Sequence, residues 1–343
     1  MMRLPWFSYR SPTTIAEAAS IVAGEGPSAM IVAGGTDLLP NMKRKQQVPK
    51  TLVSLRKVAG LKRIANGTGL ALGSGLTLTE VVATEPVRAS YRALWQAAAQ
   101  VATPHLRNMG TLGGNLCLDT RCTYYNQNFE WRQAIDFCMK KDGKICWVAT
   151  KSRLCLAVSS TDTAPALIAL GAKVRLVSSH GEREVALADL YRNDGMDYLT
   201  RKSDEILTDV MLPNAAGWQS SYWKLRRRGS FDFPVLGVAA AVRCNAEGVV
   251  EDARIVLGAC APRPIVTKAS ELLIGKRLTD EVIAEIGAKA ASQAKPMDNT
   301  DLDLYWRKDV VSNFVGYALR EVRGDDMRAE RMRIARQSLQ AVG

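Results

Sequence analysis

Two short glycine turns constrain this chain more than any other feature. "VAGGTDLL" (32–39) and "TLGGNL" (111–116) each set paired glycines behind an apolar run. Paired glycines reach backbone angles closed to other residues and can turn successive N–H groups into one concavity. Such concavities hold phosphate oxygens. Two of them, the second flanked by Thr111 and Asn115, can grip a diphosphate from both sides. The chain has no G-x-x-x-x-G-K-[ST] run and no G-x-G-x-x-G opening a helix after a strand. A phosphate-bearing ligand is therefore not held by a P-loop or a Rossmann turn.

The residues around these turns alternate in type. "PTTIAEAASIVAG" (12–24) predicts a helix capped near Thr13 or Thr14 and stopped at Gly24. The first glycine turn lies between a strand and a helix start; "TLVSLRKV" (51–58) reads as a second strand. Residues 69–83 read as a strand and turn leading into a helix, and from residue 163 a helix precedes a strand pair. After about residue 215, "WQSSYWKLRRRGSFDFPVLGVAAAVRC" and "VVEDARIVLGACAPRPIV" predict an antiparallel sheet. Helices are expected at 266–275, 279–294 and 303–321. With 343 residues the chain suits two or three packed units, with a boundary expected near Pro213–Gly217. The pattern is α/β or α+β, not all-helical.

The net charge of +12 is spread along the chain and matches no zinc-finger, RNP or basic-helix pattern, so nucleic acid is not the expected partner. A cationic surface also attracts acidic proteins. No apolar run is long enough to span a membrane. "MMRLPWFSYRSPTT" lacks the pattern of a secretory signal, which leads to the expectation of a cytoplasmic protein with reduced thiols.

That expectation gives weight to the cysteines. Four of seven, Cys122, Cys138, Cys146 and Cys155, fall within 34 residues at C-x15-C-x7-C-x8-C spacing. This is neither the paired spacing of zinc modules nor the tight ferredoxin run. Four thiolates can hold zinc or a [4Fe–4S] cluster, and four unrelated buried thiols are the third possibility. The surrounding segment, 118–157, carries six of the chain's 22 aromatics and seven Lys/Arg against four Asp/Glu.

"VAGGTDLL" and "RNMGTLGGN", in that order, resemble the flavin-binding subunit of the xanthine dehydrogenase/carbon monoxide dehydrogenase family of molybdenum hydroxylases. "STDTAPALIALGAKV" (160–174) and "YWKLRRRGSFDFPVLGVAAAV" (222–242) are similar to later segments of the same family, so the resemblance covers nearly the whole chain. It implies an α+β fold: a two-lobed FAD-binding domain of the vanillyl-alcohol-oxidase type over 1–215, its lobes split near 58. A small α+β flavoprotein domain over 216–325 and a basic tail over 326–343 follow. It further implies FAD held by Ile31, Val32, Ala33, Gly34, Gly35, Thr36 and Asp37 on the first loop and by Thr111, Gly113, Gly114 and Asn115 on the second. Asp162, Leu207 and Lys224 match positions that contact the flavin.

In the usual family pattern the S-x-x-D motif follows the second turn closely. Here Asn115 and Asp162 are separated by 46 residues, and the excess holds all four clustered cysteines. The branch most similar in this respect is that of the 4-hydroxybenzoyl-CoA reductases. The resemblance then implies a [4Fe–4S] cluster on Cys122, Cys138, Cys146 and Cys155. The implied partners are a small [2Fe–2S] subunit and a large molybdopterin subunit in a dimer of heterotrimers, with ferredoxin as electron donor. No membrane and no nucleic acid are implied. The other readings are a flavin subunit for oxidation of an N-heterocycle, an aldehyde or CO, its cysteines holding zinc or nothing, and a basic zinc-containing RNA-binding or assembly protein that shares only the turns. Of the remaining residues, Cys117 and His105 stand near the second turn, Cys244 and Cys260 read as core, and His180 reads as exposed.

Overall fold

The structure is a computed structural model that describes residues 3–340. Its first lobe is a parallel three-stranded sheet, β1 (Ser8–Arg10), β2 (Ala29–Val32) and β3 (Thr51–Ser54), in the order β1-β3-β2. Helix α1 (Ile15–Glu25) joins β1 to β2 and buries Ala18, Ala19 and Val22. Thr14 caps it, its Oγ1 accepting from the Glu17 N–H at 3.1 Å. The helix runs through Gly24 and stops at Gly26 with φ +58°, correcting the expected stop. One interior glycine costs a helix only about 1 kcal/mol, whereas Gly26 precedes Pro27 and takes an angle that ends the helix. The first glycine turn follows β2 and opens α2 (Leu38–Lys43).

The second lobe is an antiparallel sheet of β4 (Ile64–Asn66), β5 (Leu70–Gly73), β6 (Lys173–Ser178), β7 (Gly181–Ala186) and β8 (Ile206–Leu212), ordered β4-β5-β8-β6-β7. Between β5 and β6 lie α3 (Leu78–Ala83), α4 (Glu85–Ser90), α5 (Arg92–Ala99), α6 (Pro104–Arg107), α7 (Leu112–Leu116), α8 (Phe129–Ala134) and α9 (Thr163–Ala169). The second glycine turn is the start of α7; α8 belongs to the cysteine segment.

A third sheet, β9 (Trp218–Leu225), β10 (Leu236–Cys244), β11 (Val250–Gly258) and β12 (Ile265–Val266), is antiparallel in the order β12-β11-β10-β9. After it come α10 (Asp280–Gln293), α11 (Leu304–Arg323) and α12 (Arg328–Gln340). The helix expected at 266–275 is instead β12 followed by a 3-10 turn at Lys268–Leu273. Thr267 donates its N–H to Ile255 O at 2.9 Å, so pairing with β11 takes the residues that would open a helix. Gly275, at φ +78°, closes the segment.

This sheet is buried on both faces. Val238, Ala240 and Val242 of β10 point into the core built by α10 and α11, whereas Ala239 and Ala241 join the core of the second lobe. The lobe-facing side is small-residued because α9 lies close upon it; a Cβ on Gly258 would stand 2.7 Å from Pro165 Cγ. Cys260 is buried as expected, but Cys244 is exposed, because β10 ends in a bulge at Arg243/Cys244. His180 is exposed in the β6–β7 turn.

Candidate functional site

A cleft of about 790 Å³ lies where the two lobes, the neck of the cysteine segment and the β9–β10 loop meet. That volume suits a sizeable organic ligand. Ile31, Val32, Ala33, Gly34, Gly35, Thr36 and Asp37 line one wall, and Thr111, Gly113, Gly114 and Asn115 line another, with Asp162 and Leu207 between.

The two glycine turns touch. A Cβ on Gly34 would land on the carbonyl of Met109, directly before the second turn, so only glycine permits this approach. Gly35 has φ +71°, the left-handed region in which glycine is unstrained. Among the described residues, no backbone N–H of Ala33 to Asp37 donates to a backbone carbonyl. These donors stand free along the cleft. The second turn differs. Leu112 and Gly113 donate to Leu76 O and Ser74 O, each at 2.8 Å, and Gly114 donates to Thr111 Oγ1 at 3.0 Å. Its N–H groups fix the wall to the loop between β5 and α3, so the expected grip from both sides is asymmetric. Asn115 Oδ1 accepts from Thr161 Oγ1 at 2.7 Å and Thr163 Oγ1 at 2.6 Å, tying the second turn to α9.

Asp162 stands at the N-terminus of α9 without capping it. Its carboxylate accepts from Tyr222 OH at 2.8 Å and Lys224 Nζ at 2.9 Å. Lys224 does not reach the cleft wall. It lies behind Asp162, fully buried, and also donates to the carbonyls of Gln100 (3.1 Å) and Asp232 (2.9 Å). Burial pushes the Asp162 carboxyl up and the Lys224 ammonium down, and their mutual attraction opposes both shifts. Cys117 lines the cleft, where burial raises its thiol pKa; His105 is exposed outside it.

Sequence reasoning missed three cleft residues. Phe231 and Phe233, from the β9–β10 loop, hang over the opening with large exposed faces. Phe231, at φ +64°, donates its N–H to Ala102 O at 3.1 Å, and Ala102 is itself at φ +44°. That bond fixes the β9–β10 loop to the chain before α6. "GSFDFP", aromatics set among turn formers, was the available signal. The third is Arg121. It pairs with Asp37, donates to Asn41 Oδ1 at 3.0 Å and stacks on Phe233 at 4.9 Å. Burial lowers its pKa to about 10, leaving it charged at neutral pH.

The 118–157 segment is packed. Arg132 is wholly buried between Phe129 and Phe137, and its Nη2 donates to Arg44 O at 3.0 Å. Lys140 Nζ donates to Asp119 Oδ1 at 2.8 Å, Thr120 Oγ1 at 2.7 Å and Gly195 O at 2.6 Å. Cys122, Cys138, Cys146 and Cys155 are all buried. Cys122, Cys138 and Cys155 pack in one core cluster with Tyr125 and Ala157, and Cys146 lies close enough to Cys155 to interact with it, so the four share one neighbourhood. Burial pushes the Cys122 thiol up to about 12 and that of Cys155 up to about 11. Among the described residues, no group of three or more His, Cys, Asp or Glu stands close enough to hold a single metal ion. In chemistry alone, four buried thiols, with Lys140 in the field of Cys155, are donors that zinc and an iron–sulfur cluster both take.

The basic count of this segment shrinks in the fold. Arg121, Arg132 and Lys140 are engaged inside, which leaves Lys141, Lys144, Lys151 and Arg153 facing outward. Among the described residues, no helix is long and apolar enough to cross a membrane.

Residues 5–215 match the family described as the FAD binding domain in molybdopterin dehydrogenase, and residues 220–322 match the CO dehydrogenase flavoprotein C-terminal domain. The chain belongs to this flavoprotein family. The FAD-binding subunit of an aldehyde oxidoreductase of Escherichia coli is 31% identical over 317 residues, covering 83% of this chain and 99% of that subunit. The nicotinate dehydrogenase FAD-subunit of Eubacterium barkeri is 29% identical over 285 residues, covering 81% of this chain and 82% of its own. In fold, the flavoprotein resembles a chain of the carbon monoxide dehydrogenase of Hydrogenophaga pseudoflava. The TM-score is 0.76 at 24% identity, covering 93% of this chain and 97% of that one. A two-domain FAD-binding fold of mixed helix and sheet and an oxidoreductase subunit of the molybdenum hydroxylase family are thereby shown.

Proposed function

We propose that this flavoprotein is the electron-transferring flavin and iron–sulfur subunit of a 4-hydroxybenzoyl-CoA reductase-type enzyme. The observation that carries the reading is the burial of four cysteines in one neighbourhood, inside a segment rooted at the wall of the FAD cleft. The free N–H groups of Ala33 to Asp37 hold the diphosphate of FAD, while Thr111, Gly113, Gly114, Asn115 and Leu207 shape the wall beside it. Asp162 faces the flavin, and Lys224 pairs with Asp162 and holds it in place. Cys122, Cys138, Cys146 and Cys155 hold the cluster. When bound, the cluster exchanges electrons singly and FAD singly or in pairs. Phe231 and Phe233 screen the cleft from water.

The partner chains are a small [2Fe–2S] subunit and a large molybdopterin subunit that carries the substrate chemistry. The donor is a reduced ferredoxin. Residues 143–157 hold Lys144, Lys151 and Arg153 with no acidic residue, next to the exposed Ile145 and Leu154 and the buried Cys146 and Cys155. A cationic rim around apolar contacts suits an acidic electron carrier.

A second reading is favoured by the similarity to the flavin subunits of an aldehyde oxidoreductase and a nicotinate dehydrogenase. In it the same chain serves an oxidising hydroxylase with another substrate. Assays on the anaerobically purified native complex separate the two: 4-hydroxybenzoyl-CoA with a reduced low-potential donor, against aldehydes and N-heterocycles with an electron acceptor. Benzoyl-CoA formation supports the first; turnover of an aldehyde or heterocycle alone supports the second.

A further inference from the structure

Arg121 ties the neck of the cysteine segment to the first glycine loop, while Gln46 and Arg132 join the same segment to the chain just past α2. Its backbone pairs with Val158 in both directions, at 2.8 and 2.7 Å, and so closes the neck of the 118–157 segment. Its guanidinium pairs with Asp37 at the end of the first glycine loop and donates to Asn41 Oδ1 of α2 at 3.0 Å. The guanidinium plane lies 4.9 Å from the ring centroid of Phe233. The side chain is 6% exposed, and among the described residues its buried Nε has no hydrogen-bond partner. The next residue along the chain is Cys122.

A guanidinium offers its donors in a rigid planar fork, so its partners restrain one another. Closure of the Ala33–Asp37 loop on a ligand fixes Asp37, which fixes Arg121 and with it the neck of the cysteine segment. The reverse holds equally, because coupling between two sites is reciprocal. We propose that Arg121 is a positioning residue that makes FAD binding at the first glycine loop and ordering of the cysteine segment one coupled event. The inference rests on the reading of the cleft as an FAD site.

Hydrogen exchange on the full chain, with and without added FAD, tests it. In the wild type, FAD is expected to slow exchange both in residues 33–37 and in residues 122–157. In Arg121→Gln the response of 33–37 is retained at higher FAD concentration while that of 122–157 is lost. Flavin fluorescence is expected to show about tenfold weaker binding, which Arg121→Lys restores only in part. Asp37→Asn breaks the same pair from the other side with the neck bonds intact, so a misfolded Arg121 variant does not end the test. Wild-type protection of 122–157 by FAD in either Arg121→Gln or Asp37→Asn overturns the inference alone. A wild type whose 33–37 segment ignores FAD overturns the FAD reading, and the inference with it.

Discussion

Lys224 Nζ lies 2.9 Å from Asp162 Oδ2, and both side chains are cut off from solvent. The pair joins the first turn of α9 to β9, and thus the FAD-binding domain to the C-terminal one. Removing one partner leaves the other charge uncompensated in a dry site. Lys224→Met is therefore expected to cost roughly 3–5 kcal/mol in urea unfolding. The double variant Lys224→Met/Asp162→Asn should recover part of that loss, because no lone charge then remains. A Lys224→Met loss below ~1 kcal/mol would contradict the assignment.

A second carboxylate latches the same domains on the opposite face of β9. Glu321 accepts from Arg92 (2.9 Å), Gln96 (3.0 Å) and Trp223 Nε1 (2.9 Å), and from Ser221 and Arg331. Burial alone would raise its pKa, but Arg331, Ser221 and Arg92 outweigh that and hold it below the ordinary 4.5. A depressed folded pKa gives stability that is full above the unfolded value and is lost as pH falls through the folded one. Glu321→Gln is expected to cost about 2 kcal/mol at pH 7. The gap between wild type and variant should narrow as pH drops below about 4.5. A gap independent of pH in urea melts would show that the charge of Glu321 contributes nothing.

The glycines separate by position. Gly34→Ala drives a methyl into the Met109 carbonyl and should weaken FAD binding at least tenfold, whereas Gly24→Ala meets nothing within 4 Å and should leave it unchanged. Gly113→Ala, with its Cβ 2.7 Å from Ser74 Cβ, should resemble Gly34→Ala. Equal FAD affinities across the three, measured by fluorescence, would show that the close approach of the loops is not needed for binding.

Charge on the 143–157 surface is expected to set the rate of electron entry. Lys151→Glu/Arg153→Glu should slow stopped-flow reduction by an acidic ferredoxin several-fold and flatten its dependence on salt. A rate unaltered by the substitution or by salt would remove this surface as the docking face.

The glycine loops were legible in the sequence because their need for glycine is local: a turn angle at Gly35 and a backbone contact at Gly34. The long helices α10 and α11 were legible from periodicity, within two residues at each end. Residues 266–275 misled because Thr267 is held by Ile255, a partner twelve residues away that no local pattern announces. The placement of Lys224 behind the wall follows from the register of β9, where Tyr222 and Lys224 share one face and Ser221 and Trp223 the other. Arg121 escaped notice because its partners, Asp37, Asn41 and Phe233, are brought to it only by the assembled fold. The cysteine cluster was visible as a composition anomaly, and its burial as one neighbourhood required the structure.

The most direct measurement is the flavin, iron and sulfide content of anaerobically prepared wild type beside single Cys→Ser variants at 122, 138, 146 and 155, with Cys244→Ser and Cys260→Ser as controls. The account predicts one FAD with about four irons and four sulfides per wild-type chain, iron lost from each of the four variants and kept in the controls. Wild-type protein with FAD but without iron and sulfide, or iron unchanged across the four variants, would contradict it.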